Sequence, residues 1–202
     1  MKKNLLTFLL VIAVLCSACV SGRAPNPRAT AFDLGMMPST PVGPLQLPAL
    51  SISRVTAPEW LNGPQMYYRL LYANAQQPLP YAHSQWSMSP ARLFEERIKS
   101  HISQNGGQVL ASSVGIARLP SLRIELDDFT QVFESPERSY AYLAARVAVL
   151  DGRKLLGQKL FQQRIPAPTP DAEGGAKAMA QANDMMMADI LHWLSTLPKP
   201  AQ

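Results

Sequence analysis

The chain has 202 residues, 47% of them apolar and 16% charged, with 18 prolines, 11 glycines and two cysteines. That length suits one globular domain with added segments and leaves little room for a second, and the low charged fraction argues against a disordered, solvating chain. The formal charge is +5, or +3 without Lys2 and Lys3, and no run of four Lys or Arg occurs, so the sequence does not support a nucleic-acid partner.

Lys2-Lys3 open a three-part leader: a cationic start, an apolar run from Leu5 to Leu15 broken only by Thr7, then the small residues Ser17-Ala18 before Cys19. This is the plan of a secretory signal peptide over residues 1–18, and the run falls short of the ~20 residues a membrane-spanning helix needs. Nothing later in the sequence is long and apolar enough to span. Both cysteines, Cys16 and Cys19, lie at the end of the apolar run. A disulfide framework or a zinc site would spread or cluster cysteines elsewhere, so neither is expected. Leu15-Cys16-Ser17-Ala18-Cys19 resembles a bacterial lipobox. In that class a diacylglyceryl group alkylates the thiol and the chain is cut just before it. Cys19 is the expected lipid-attachment residue because Ala18 and Ser17 precede it, whereas Cys16 would put Leu15 at the cut. Cys16 departs from the Leu usual at its position. Each buried CH₂ contributes about 0.8 kcal/mol, so two or three acyl chains make a lasting anchor where one is marginal. Val20 follows, not the Asp that retains such proteins in the inner membrane, and the lipobox resemblance therefore implies the outer membrane.

Residues 19–48 hold Pro25, Pro27, Pro38, Pro41, Pro44 and Pro48, which predicts an extended tether. Within it, Phe32-Asp33-Leu34-Gly35 is a candidate edge strand near 32–35. The folded domain is expected over 49–197, with a flexible tail at 198–202. Leu50, Ile52 and Val55 suggest a strand ending at Pro58, and Met66–Tyr72 alternates as a second. A loop through Pro78 and Pro80 is expected to lead to a strand at Tyr81–Trp86. Ser89-Pro90 reads as an N-cap with Pro in first helical position. Leu93, Phe94, Ile98 and Ile102 form the apolar stripe of that helix, Arg92, Glu96 and Lys99 face away, and Asn105-Gly106 stops it. Strands follow at Gln108–Ala111, Ser121–Phe133, Ser139–Leu150 and Lys154–Ile165, the last two joined by an Asp151-Gly152 turn. A final helix is expected from Asp171 to Leu197, with Met179, Asn183, Met186, Ile190, Trp193 and Leu197 on one stripe. The fold class expected is α/β (or α+β), a single domain with a mixed sheet flanked by helices.

Chemistry-bearing residues are sparse. His83, His101 and His192 stand in no metal-ligand spacing, so no metal, cofactor or metalloenzyme activity is expected. His83 beside Ser84 lacks a G-x-S-x-G elbow, and adjacent strand residues point to opposite faces. Neighbours on a strand diverge here too, and a bulge or a strand end accounts for Asp127-Asp128 better than an acid–base pair does. Gly106-Gly107 and Gly174-Gly175 read as helix punctuation. In Met185-Met186-Met187 only Met186 falls clearly on the stripe, and at least one neighbour should be near the surface. Core packing is the leading reading there, ahead of an adaptable apolar surface or a copper site. Trp86 and Trp193 read as core anchors.

The lipobox, Phe32-Asp33-Leu34-Gly35, Tyr67-Tyr68-Arg69-Leu70-Leu71-Tyr72, Tyr81-Ala82-His83-Ser84-Gln85-Trp86 and Ser89-Pro90-Ala91-Arg92-Leu93-Phe94 together resemble the ABC-type transport auxiliary lipoproteins, the PqiC-like group. The most specific part is the Trp86–Pro90–Leu93 stretch. The resemblance implies a non-enzymatic periplasmic partner of an MCE-type lipid transport system, anchored in the outer membrane and docking or capping the MCE conduit; a homo-oligomeric ring matching the conduit's symmetry is one form such a cap would take. It also implies a fold similar to the N-terminal domain of TolB. No catalytic residue carries over. The competing readings are an envelope assembly or scaffold lipoprotein and a lipoprotein hydrolase, the latter lacking a polar constellation of adequate spacing.

Overall fold

The computed structural model describes residues 29–38, 45, 47–111 and 119–198. The leader, Cys16, Cys19 and most of the tether and tail lie outside the described residues. The described chain forms a single α/β domain: one open mixed sheet of eight strands and two helices.

The sheet is built around one long hairpin. β6 (Ser121–Ser135) runs antiparallel to β7 (Arg138–Asp151), and β7 pairs in turn with β8 (Lys154–Pro166). Because β7 covers one edge of β6 from Ser121 to Ser135, two strands share the other edge. Near its start β6 pairs in parallel with β2 (Leu50–Ile52), and near its end with β3 (Gln65–Leu70). β2 carries β5 (Val109–Ala111) on its far side. β3 carries β4 (Asn74–Trp86), whose last three residues pair in parallel with the short edge strand β1 (Thr30–Phe32). The turn between β7 and β8 is centred one residue later than expected, on Gly152-Arg153, with Gly152 at φ 58°.

Helix α1 (Pro90–Gln104) and helix α2 (Ala172–Thr196) pack into one apolar cluster with alternate residues of the central strands, among them Leu122, Ile124, Leu126, Leu143, Ala145 and Val147. Ser89 holds the N-cap position of α1, but its carbonyl, not its hydroxyl, receives the first-turn amides of Arg92 and Leu93. Asp171 caps α2 as a side chain, accepting from the amide of Gly174 at 2.7 Å. Trp86 packs edge-on against Phe129, and Trp193 against Phe161. Met186 and Met187 are both fully buried while Met185 is 45% exposed, so the stripe is one residue wider than its spacing indicates.

Three further expectations are corrected. β4 does not wait for a loop to end: it runs through Pro78 and Pro80, opposite Tyr67 and Tyr68 of β3. β1 reaches β4 only from Ser84 onward, so around the two prolines the outer edge of β4 has no described partner that needs an N–H. The edge strand sits at Thr30–Phe32, while Asp33 to Gly35 turns, with Gly35 at φ 65° and its amide on Asp33 Oδ1. Gly174 and Gly175 are not punctuation: they lie inside the first turn of α2, where a Cβ would overlap Thr169 and Gln131 respectively.

Candidate functional site

The side chains of β6–β8 that alternate away from the helices form an open face. At its centre a β-bulge between Leu126 and Asp128 leaves Asp127 without a counterpart on β7. Alternation alone would send Asp127 and Asp128 to opposite faces. The bulge instead turns both to the open face, each toward its own arginine. Asp127 accepts from Arg146 Nη2 at 2.6 Å and from its Nε at 3.2 Å, and Asp128 lies 3.6 Å from Arg69 Nη2. Asp128 also accepts from the Thr130 hydroxyl at 2.7 Å. Burial pushes the Asp128 carboxyl above its usual range, outweighing the hydrogen bond from Thr130 and the charge of Arg69. Around this pair Arg69 lies over the Trp60 ring, Trp60 meets Tyr67 edge-on, and Arg164 lies over Tyr140 and Tyr142. Tryptophan, tyrosine and arginine are the residues that dominate binding energy at protein interfaces.

A second polar cluster joins the helices to the amino-terminal arm. Arg97 of α1 is 6% exposed. Its Nε and Nη2 donate to the two carboxylate oxygens of Asp184 on α2 at 2.7 and 2.8 Å, and its Nη1 and Nη2 donate to the carbonyls of Gly35 and Met36 at 3.0 and 3.3 Å. His101 Nε2 lies 2.9 Å from Asp184 Oδ1. Burial opposes the Asp184 charge, but the hydrogen bonds from His101 and Arg97 outweigh it and hold this carboxyl below its usual range. Leu34 is buried beside this cluster, and the Gln104 side chain donates to the Pro38 carbonyl. The arm that leads back toward Cys19 is thus strapped to the helix layer.

A third network lies where β3 and β4 meet the start of α2. The Tyr81 hydroxyl donates to Gln131 Oε1 at 2.9 Å and Gln131 Nε2 donates to Ser139 at 2.8 Å, with Gly175 close against Gln131. Burial, helped by Tyr68 and Asp171, raises the Tyr81 pKa well above the phenol range, so it stays a neutral donor.

His83 is exposed on β4 and His192 exposed on α2, far in sequence from buried His101 on α1; Ser84 sits in the β1–β4 pairing. The structure brings His101, Arg97 and Asp184 together, which the sequence reading missed. A signal was available: Arg97 and His101 stand four apart within the apolar stripe, three residues after Phe94 and Ile98 respectively.

The family model for ABC-type transport auxiliary lipoprotein components matches residues 32–191. The chain belongs to that family. In fold it is similar to the crystal structure of protein XCC0632 from Xanthomonas campestris, a DUF330 protein, at 15% identity and a TM-score of 0.64, covering 83% of this chain and 91% of that one. It is also similar to an uncharacterized protein of known structure at 14% identity and a TM-score of 0.65, covering 82% and 98% of the two chains. No curated protein matches the chain. This auxiliary lipoprotein component shows, among its described residues, no helix long and apolar enough to cross a membrane.

Proposed function

We propose that this transport lipoprotein is held at the periplasmic face of the outer membrane by acyl chains on Cys19, and that it docks or caps the periplasmic conduit of an MCE-type ABC lipid transporter without catalysing a reaction. Family membership across residues 32–191 carries this reading, together with the lipobox that ends at Cys19. The first described strand begins at Thr30, eleven residues after Cys19. At ~3.3–3.6 Å per residue that stretch spans roughly 40 Å at most. A module on so short a lead meets an inner-membrane machine only where its partner bridges the gap, and a conduit protein does so. The non-enzymatic role is supported by how the ionisable groups are committed: Asp127 and Asp128 to separate arginines, and Asp184 to Arg97 and His101. The arginine- and aromatic-rich open face offers a docking surface rather than a reaction site.

The test is capture of the MCE subunit by full-length lipoprotein purified in detergent. Association that is lost when the fold is lost supports the reading. An intact fold with no association points to the scaffold alternative.

A further inference from the structure

β8 is the longest strand on an edge of the sheet. It pairs with β7 from Lys154 to Pro166, and among the described residues nothing pairs with its other side. Edge strands are usually kept short or interrupted, because their free amides and carbonyls recruit other chains. Here the strand has no proline before Pro166, and its one irregularity lies near its start, between the pairings of Val149 and Leu150. From Gly157 to Ile165 the register with β7 is unbroken. Beside this edge runs a groove between β8 and α2, lined by Lys159, Phe161, His192 and Trp193. Its carboxylate, Asp189, is already engaged by Gln163 at 2.7 Å. Leu155 and Leu160 stand 54% and 49% exposed on the strand itself.

Charge identifies the occupant. β8 contains Lys154, Lys159 and Arg164 and no carboxylate, and Arg153 precedes it in the turn. The salt bridges of the described residues engage Arg69, Arg97, Lys99, His101, Arg146 and Lys177, but none of these four. Lys159 and Arg164 rest over aromatic rings, which keeps them near the strand with their charge uncompensated. We propose that β8 receives an extended acidic segment of a partner protein as an added strand, with main-chain hydrogen bonds supplying affinity and the unpaired cations supplying selectivity. A second copy of this chain is a poorer occupant, since pairing β8 with β8 sets three cations against three. Basic strands are repelled by the same charges, and neutral strands gain no attraction from them. This inference rests on the reading of the chain as a docking subunit and names the chemistry of what docks.

The test uses full-length lipoprotein in detergent and a labelled peptide of about eleven residues alternating Glu with Val or Thr, with a Lys-for-Glu counterpart. The acidic peptide should bind at least tenfold more tightly than the basic one, weaken in 1 M NaCl, and slow hydrogen exchange within Gly157–Ile165. The variant Lys154→Glu, Lys159→Glu, Arg164→Glu changes three exposed side chains, so it should fold, and it should reverse the preference between the two peptides. Equal binding of both peptides, protection elsewhere than β8, no binding, or self-association through β8 would each overturn the proposal. Capture of the MCE subunit by the charge-reversed variant as efficiently as by wild type would also overturn it, while leaving the proposed function standing.

Discussion

Replacing Arg97 with Met tests the strap most sharply. Methionine keeps an apolar stem in place of the aliphatic part of Arg97 and removes only the guanidinium. Two interactions with Asp184 and two with the carbonyls of Gly35 and Met36 disappear together. Removing one partner of a buried ion pair costs roughly 3–5 kcal/mol, because the other charge is left uncompensated. Asp184 is 22% exposed and keeps His101, and Gly35 and Met36 are exposed enough to regain water, so the cost here should be lower, about 2–4 kcal/mol. With a urea m-value of about 2 kcal/mol/M, the midpoint should fall by roughly 1–2 M. Limited proteolysis should show a new cut between Asp33 and Pro38 before the body unfolds. The double variant Arg97→Met, Asp184→Asn should recover part of the loss, because no lone carboxylate remains and the amide oxygen can still meet His101 Nε2. A midpoint shift below about 0.3 M, with the arm as resistant as in wild type, would refute the reasoning.

Acid should release the same strap. The folded-state pKa of Asp184 lies below its unfolded value, so the stability it contributes is present above about pH 4 and is lost as pH falls through the folded-state pKa. Urea melts of wild type and Asp184→Asn between pH 3 and 7 should therefore converge at the acid end; parallel curves would contradict this. Asp128 has the opposite sign: its folded-state pKa is raised, so its ionisation weakens the fold as pH rises above about 4, and Asp128→Asn should cost nothing or stabilise at neutral pH. A loss above about 1 kcal/mol on calorimetry would show that the contact with Arg69 outweighs burial. Gly174→Ala should destabilise by about 1–3 kcal/mol in thermal melts, since its Cβ overlaps the Thr169 backbone, which cannot swing aside as a side chain can. A neutral result would mean that the segment before α2 moves freely.

The two helices and the long hairpin were legible because their signals are local. The stripe of Leu93, Phe94, Ile98 and Ile102 is carried by its own spacing, and the alternation of Leu122, Ile124 and Leu126 by its period of two. What escaped depends on partners distant in the chain. β4 tolerates Pro78 and Pro80 only because β1 stops short of them, a fact set some fifty residues upstream. The common face of Asp127 and Asp128 depends on how β6 registers against β7 and cannot be seen in β6 alone. Asp184 lies 87 residues from Arg97, and only tertiary packing makes them an ion pair. Gly174 and Gly175 looked like punctuation because a close approach leaves no pattern in the adjoining sequence. Cys19, the residue on which the anchoring argument turns, was read from the lipobox alone and lies outside the described residues.

Its chemical state is therefore the most direct test. Mass spectrometry of the lipoprotein purified from native membranes should find an amino-terminal peptide that begins at residue 19 and carries two or three acyl chains. An unacylated thiol at that terminus would contradict the account, leaving the module free to diffuse through the periplasm rather than held beside its membrane.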